Sequence, residues 1–219
     1  MASSRFLRRP NRCLLGRGRP NPRLSPVLCA LVASAVCSLH SLNAQAAPPG
    51  DLSIAVERLF GIVRTTVEVG DGESSVTSVS IFSQVSGHAG YSAPRLAIDW
   101  LSTSGFSFGG ALGYQTNGDD DDAADGDAWL LAARVGYFAR PSSGFGIWPR
   151  VGLTHIASDY GIEATATALT FEVPLEFLLS RGIAISLTPH ADIGIGGHVG
   201  DLQRDITDLG LQFGAGAFF

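Results

Sequence analysis

The chain has 219 residues, 45% of them hydrophobic and only 16% charged, and its 27 glycines favour tight turns over long helices. All 15 basic residues are arginine, and seven of them lie in the first 25 residues; from Ala47 onward 8 arginines stand against 20 acids, a net charge of −12. Phosphate binding requires a basic face, so this charge excludes a nucleic-acid-binding body.

The first 46 residues have the features of a secretory signal peptide. A basic region precedes the apolar run Pro26–Leu39, and Ala44-Gln45-Ala46 fits the small-x-small cleavage rule. A run of 14 residues is shorter than the roughly 20 that a membrane-spanning helix needs, although an uncleaved anchor is the alternative interpretation. The cysteines all lie in this leader: Cys13, Cys29 and Cys37. The mature chain, 47–219, is therefore predicted to have no disulfide, thiolate metal site or cysteine nucleophile.

Alternation of apolar and polar residues with period 2 predicts eight strands in the mature chain, since a strand sends alternate side chains to opposite faces. In chain order they cover about 52–64, 95–100, 106–114, 129–137, 145–154, 169–179, 183–195 and 209–219. Residues 57–60 break the alternation of the first strand, which predicts a β-bulge there.

The predicted connections alternate in length. Short turns cover 102–104, 141–143 and 180–182, and longer polar loops cover 70–90, 117–127, 158–164 and 196–208. Short turns at one end and long loops at the other are typical of outer-membrane barrels.

The last strand carries the sharpest single feature, because Leu211, Phe213 and the final Phe219 lie in one phase. With the strand pattern, it resembles the small eight-stranded outer-membrane barrels of the OmpA/OmpX type. The resemblance implies an all-β, eight-stranded antiparallel up-and-down transmembrane β-barrel over residues 47–219. It also implies location in the cell outer membrane, contact with lipid and lipopolysaccharide, a monomeric state, and recognition of the terminal strand by the barrel-assembly machinery.

The polar face of the predicted strands is mostly glycine and alanine, which suits the crowded lumen of a narrow barrel and places the apolar face outside. The inner face also carries charged and titratable residues, which are Glu57, Asp99, Arg134, Arg150, Glu172, Glu176, His190 and Asp192. Buried charges persist when they are paired. We therefore expect Arg134 and Arg150 to bridge Glu172, Glu176 and neighbouring acids and to close the lumen.

A structural or adhesion-type barrel without catalysis is the first functional hypothesis. The alternatives are an outer-membrane rim enzyme acting on lipid A and a soluble lipocalin-like carrier with its apolar face inside. For the rim enzyme, His155 with Ser158 and Asp159 is the nearest approach to a catalytic cluster. No nucleophile elbow, metal-ligand spacing or phosphate loop is present, so no catalytic residue, metal site or cofactor is predicted.

Two weaker patterns remain. The acidic stretch Asp119–Asp122, with Asp125 and Asp127, predicts a solvated external loop or, alternatively, a weak divalent-cation site. Aromatic residues near strand ends suit interfacial girdles or ordinary sheet packing. They are Tyr91, Trp100, Tyr114, Trp129, Tyr137, Trp148 and Tyr160.

Overall fold

The computed structural model describes residues 51–81, 91–117, 126–159, 161–180 and 182–219, so the predicted leader lies outside the described residues. Within these ranges no helix could cross a membrane. The strands are β1 Leu52–Val69, β2 Gly72–Ile81, β3 Arg95–Leu101, β4 Phe106–Asn117, β5 Gly126–Tyr137, β6 Ala139–Ser142, β7 Phe145–Ile147, β8 Arg150–Asp159, β9 Glu163–Glu172, β10 Leu175–Ser180, β11 Ile183–Val199 and β12 Leu202–Phe218.

Antiparallel pairing runs from β12 through β1, β3, β4, β5, β8, β9 and β11 and returns to β12, so eight strands close into a barrel. The short strands β6, β7 and β10 lengthen three of these strands beyond a break. Two of the breaks contain Pro149 and Pro174, which lack the N–H that a ladder requires. The predicted all-β, eight-stranded antiparallel up-and-down architecture is confirmed.

The barrel has two distinct ends. Asp51 and Phe219 lie at the turn end, where the Asp51 N–H donates to the Phe219 carbonyl at 2.7 Å. The opposite, loop end carries the turn Gly70–Asp71 between β1 and β2 and the turn Gly200–Asp201 between β11 and β12.

Three of the predicted long loops are wrong, because strands replace much of each. Residues 72–81 form β2. The strand β8 extends to Asp159 and β9 begins at Glu163, and only two residues separate β11 from β12. Towards the loop end these strands have polar side chains on the outer face too, so the alternation that marks a strand in sequence disappears. Residues 82–90 of the predicted loop 70–90 and residues 118–125 of the predicted loop 117–127 lie outside the described residues.

The predicted bulge is present in β1. The register between β1 and β12 shifts between Val56 and Phe60, and Arg58 has a φ of 59°. Between these two pairs β1 advances four residues and β12 two, so β1 contains two extra residues. Such an insertion turns consecutive side chains to the same face. Both Glu57 and Arg58 are consequently buried inside the barrel.

Two strands, β2 and β3, pair with different halves of β1. The first half of β1 pairs with β3, and its second half pairs with β2. The residues that precede β3 enter the lumen: Tyr91 is fully buried, and its carbonyl accepts a hydrogen bond from Arg58 Nη1. Ser92 Oγ donates to Asp208 Oδ2 at 3.0 Å, which fixes this segment against β12.

Large apolar side chains are exposed around the outside of the barrel. They include Ile62, Leu96, Ile98, Leu112, Leu131, Val135, Leu153, Ile185, Leu209 and Leu211. A continuous surface of this kind is far larger than soluble monomers expose, and a closed barrel is the sheet form that leaves no backbone edge facing lipid. We call this surface the apolar belt.

Aromatic side chains border the apolar belt at both ends. Trp100 packs on Phe108 near the turn end with ring centroids 4.9 Å apart, and Tyr114 and Trp129 are exposed nearer the loop end. Two residues predicted near strand ends are instead inside: Tyr91 and Trp148 are buried in the lumen, while Tyr160 lies outside the described residues. The girdle interpretation is wrong for these two, because each lies where the backbone leaves the regular strand pattern.

Candidate functional site

Charged side chains fill the middle of the lumen. Eight of them, all buried, form ion pairs within 4.0 Å: Glu57, Arg58, Arg95, Asp99, Arg134, Arg150, Glu172 and Asp192. The four arginines and four acids come from six different strands, β1, β3, β5, β8, β9 and β11. Equal numbers of opposite charges allow this lumen network to compensate its own desolvation.

Arg134 anchors one side of the lumen network. Its Nε donates to Asp99 Oδ1 at 2.9 Å, its Nη2 contacts the other oxygen of Asp99, and its Nη1 donates to Glu57 Oε2 at 2.7 Å. Bidentate pairing of this type constrains the guanidinium orientation as well as its distance. Arg150 Nη1 lies 2.9 Å from Glu57 Oε1, and Arg95 Nε donates to Glu57 Oε2 at 2.9 Å, so Glu57 joins three arginines.

Glu172 anchors the other side. Its carboxylate accepts from Arg58 Nη2 at 2.9 Å, lies 3.1 Å from Arg150 Nη2 and also contacts Arg95. Asp192 accepts from Arg58 Nη1 at 2.8 Å and from Thr170 Oγ1 at 2.7 Å. These contacts connect the network across the lumen rather than along one strand.

Six of the eight sequence-predicted lumen residues take part in the network, and two do not. Glu176 is buried but has no ion-pair partner within 4.0 Å among the described residues. The predicted bridge from Arg134 or Arg150 to Glu176 is therefore not formed here. His190 is buried with its Nε2 3.9 Å from Asp192 Oδ2, and within the described chain neither ring nitrogen has a hydrogen-bond partner.

Two arginines of the network are missing from the sequence prediction. Arg95 lies on the same strand face as Asp99, so its phase alone identifies it as an inner residue. Arg58 follows Glu57 directly, and strict alternation sends two consecutive residues to opposite faces. The broken alternation at 57–60 is the signal for Arg58, since a bulge there can turn both side chains inward.

Inner glycines give the network its space, and Gly152 is the clearest example. A Cβ there would lie 2.3 Å from the Ala133 carbonyl oxygen and 2.9 Å from Arg134 Cβ. By contrast, a Cβ on Gly144, in the turn before β7, would meet nothing within 4 Å.

Gly152→Val is therefore expected to lower the free energy of unfolding by about 1–3 kcal/mol, because overpacking forces the backbone or Arg134 to move. Gly144→Val is the matched control and should stay within about 0.5 kcal/mol of the unmodified protein. Urea titration of the refolded protein in detergent micelles, followed by tryptophan fluorescence, measures both. Equal stability of the two variants would contradict the close packing inferred at Gly152.

Apolar layers lie on both sides of the network. Towards the turn end, Phe138 packs against Trp148 and Phe218 with centroid distances of 5.5 and 5.6 Å. The Arg150 guanidinium lies 4.9 Å from the Trp148 ring centroid, so the aromatic layer contacts the network directly. Towards the loop end, Tyr91 packs in a buried cluster with Leu130, Ile156 and Ile206.

The residues predicted as the assembly signal lie on the outside of the last strand. Phe213 stacks on Phe60 with centroids 4.6 Å apart, and Leu211 and Phe219 are exposed. Phe218 points the other way, into the aromatic layer of the lumen. Recognition of this strand by the barrel-assembly machinery stays a prediction.

The residues considered for a rim enzyme do not come together. His155 Nδ1 hydrogen-bonds Thr167 Oγ1 at 2.9 Å, and Ser158 Oγ contacts the Ala164 carbonyl at 3.4 Å. His155 and Ser158 are three positions apart along β8, which places them on opposite faces of the strand. Asp159 accepts from the Gly161 N–H at 3.1 Å.

The acidic stretch 119–125 lies outside the described residues, and only Asp127 of that set is described, at the start of β5. In the parts of the chain that the structure describes, no three His, Cys, Asp or Glu side chains are grouped so as to hold a metal ion.

A closed eight-stranded barrel with an apolar exterior and a charged interior defines a small outer-membrane β-barrel protein. The apolar belt requires lipid outside, so the chain is an integral protein of the cell outer membrane. The lipocalin-like alternative needs the apolar face inside and is wrong for this structure.

Comparisons with known proteins give the following similarities. Neisserial surface protein A is 13% identical, with 80% of this chain and 100% of that chain covered and a TM-score of 0.49. OprG from Pseudomonas aeruginosa is 10% identical, with 78% and 97% covered and a TM-score of 0.45. Ail of Yersinia pestis is 15% identical, with 75% and 98% covered and a TM-score of 0.39.

At the sequence level, the family described as "Putative MetA-pathway of phenol degradation" matches residues 83–148, which is less than half of the chain. Curated proteins give no match.

Proposed function

We propose that this chain is a structural outer-membrane protein whose lumen is closed to ions and whose loop end serves for adhesion-type surface contacts. The lumen network carries the first part of the proposal. Its paired charges cross the lumen between two buried apolar layers, and a barrel of about eight strands leaves room only for side chains. A closed lumen favours a structural role over that of a diffusion pore.

Strands that continue beyond the apolar belt support a contact surface. The outward side chains of β1 are apolar up to Ile62 and polar from Arg64 onward, and in β12 they change at Leu209. Spanning a bilayer takes about 9–11 residues per strand, whereas β1 has 18 and β12 has 17. We call residues 64–69, 72–77 and 202–207 the loop-end sheet; their pairing holds it together as one surface.

Conductance in planar lipid bilayers tests the closed lumen. The purified, refolded full chain is expected to give no stable large pore, because the paired charges and the aromatic layer leave no continuous path for ions. The variant Leu202→Arg, changed only at the surface of the loop end, is the control and should behave in the same way. A stable, ohmic pore formed by the unmodified protein would contradict the proposal.

The partners that belong to this proposal are outer-membrane lipid and lipopolysaccharide around the apolar belt, and the barrel-assembly machinery during insertion. The closed wall supports a monomer, since the eight barrel strands form a ring without a second chain.

A further inference from the structure

The outer face of the loop-end sheet carries a row of like charges. Glu73 of β2 lies directly opposite Glu68 of β1, and Glu68 lies directly opposite Asp205 of β12. Like charges in directly opposed positions destabilise a sheet. No arginine lies within 4.0 Å of these three carboxylates among the described residues, and the nearby Arg64 donates to Ser75 Oγ at 3.1 Å instead. We call Glu73, Glu68 and Asp205 the acidic row.

The acidic row ends at the strand β2, and we call the edge of β2 that faces away from β1 its open edge, because it has no partner strand in the parts of the chain that the structure describes. β2 pairs with β1 from Gly72 to Ile81, and no described strand pairs with its other edge. The side chains of residues 72–79 are exposed on both faces. Edge strands are normally protected by charged side chains, proline or a bulge, and within its described pairing β2 has only one of these devices, the charge of Glu73.

We propose that the open edge of β2 binds an extended, lysine- or arginine-rich segment of a partner protein as an additional antiparallel or parallel strand. A strand added at this edge forms main-chain hydrogen bonds with β2, and its alternate side chains supply specificity. A basic side chain opposite Glu73 extends the acidic row with an opposite charge, which relieves the repulsion across β1 and β2. The inference rests on the loop-end contact surface proposed above and names the chemistry of its partner.

A second copy of this chain fits the edge less well. The only charged residue in β2 is Glu73, so pairing of β2 with itself brings no cation to the acidic row. The apolar side chain of Val79 lies lower on the same face as Glu73, next to Ile62. A partner strand with a basic residue near one end and apolar residues towards the other therefore complements both parts of the edge.

A second row of acids at the same end provides a matched control. Asp159 lies opposite both Asp127 and Glu163, but the strands β5, β8 and β9 are each paired on both edges. If charge alone governs binding, both rows attract a basic peptide equally. If the open edge is required, only the row that ends at β2 matters.

The test uses the full chain refolded in zwitterionic detergent micelles and a dye-labelled ten-residue peptide of alternating lysine and valine, with fluorescence anisotropy as the measurement. The double variant Glu68→Gln/Glu73→Gln is expected to weaken binding about fivefold, because it removes Glu73, the carboxylate that faces the added strand, together with the next carboxylate in the acidic row. The control double variant Asp159→Asn/Glu163→Gln, which has the same change in net charge, is expected to stay within about twofold.

Two further peptides separate strand addition from charge attraction. The same peptide with every backbone nitrogen methylated keeps its charge but donates no main-chain hydrogen bond, and it is expected not to bind. A glutamate-for-lysine peptide is also expected not to bind. Four results would each overturn the inference. They are equal binding of the methylated peptide, equal loss of binding in both double variants, absence of binding by the lysine peptide, and dimerisation of the protein through β2.

Conductance of the same preparation keeps this result separate from the proposed function. A closed barrel that does not bind the lysine peptide overturns only the partner assignment, whereas a conducting barrel that binds it overturns only the closed lumen.

Discussion

Replacing Arg134 by alanine is expected to lower the free energy of unfolding by about 3–5 kcal/mol, the usual cost of removing one partner from a buried ion pair. The change leaves Asp99 without its bidentate partner and removes one of the three arginines that contact Glu57. Asp99 then remains buried with only Arg150 Nη1, 3.7 Å away, as an ion-pair partner among the described residues. Urea titration in detergent micelles, read by tryptophan fluorescence, measures the loss.

Arg64→Ala is the matched control for Arg134→Ala. Arg64 is exposed on the outer face of β1 and donates to Ser75, so its removal is expected to change stability by no more than about 0.5 kcal/mol. The double variant Asp99→Ala/Arg134→Ala should lose less than the sum of the two single changes, with a coupling of roughly 0.5–3 kcal/mol. Strict additivity would show that the two side chains do not act as a pair.

Leu131→Arg is expected to destabilise the barrel in lipid vesicles by about 2–4 kcal/mol, since a charged side chain on the lipid face near the bilayer midplane costs that amount. Leu131 lies on the outer face of β5 between Trp129 and Val135, opposite Leu112 of β4 and His155 of β8, within the apolar belt. Equilibrium unfolding by guanidinium chloride in phospholipid vesicles measures the effect.

Leu202→Arg separates membrane burial from exposure. Leu131 is 52% exposed and Leu202 is 55% exposed, yet Leu202 begins β12 beside the turn Gly200–Asp201, beyond the apolar belt. The same substitution at Leu202 is expected to cost about 0–1 kcal/mol, because the charge reaches water there. Equal costs at the two positions would mean that the apolar belt does not face lipid.

Sequence reasoning identifies the barrel where two different environments act on the two faces of a strand. Across the apolar belt, lipid selects large apolar residues outside and the narrow lumen selects glycine or a charge inside, as in Gly109 beside Phe108. The period of 2 then reports both the strand and the direction of each side chain. The eight barrel strands and most of the network residues follow from this pattern.

The same reasoning fails where the environments become equal or the backbone leaves the pattern. All described side chains of β2 are exposed, so no alternation marks it as a strand. Tyr91 lies inside the barrel because the segment before β3 enters the lumen, which no local periodicity reports. The inward direction of Arg58 depends on the bulge, and whether Glu176 joins an ion pair depends on how far its side chain reaches. Strand phase determines neither of these.

The wide sequence separation of the network partners has a consequence for the order of assembly. Arg58 is 134 residues from Asp192 and 114 residues from Glu172. The N-terminal strand therefore obtains these counter-charges only when the C-terminal strands arrive and the ring closes. Until that step Arg58 lacks both counter-charges, and an unpaired charge buried away from water is strongly unfavourable. Ring closure and charge neutralisation thus become one event, and partly closed barrels are disfavoured as stable intermediates.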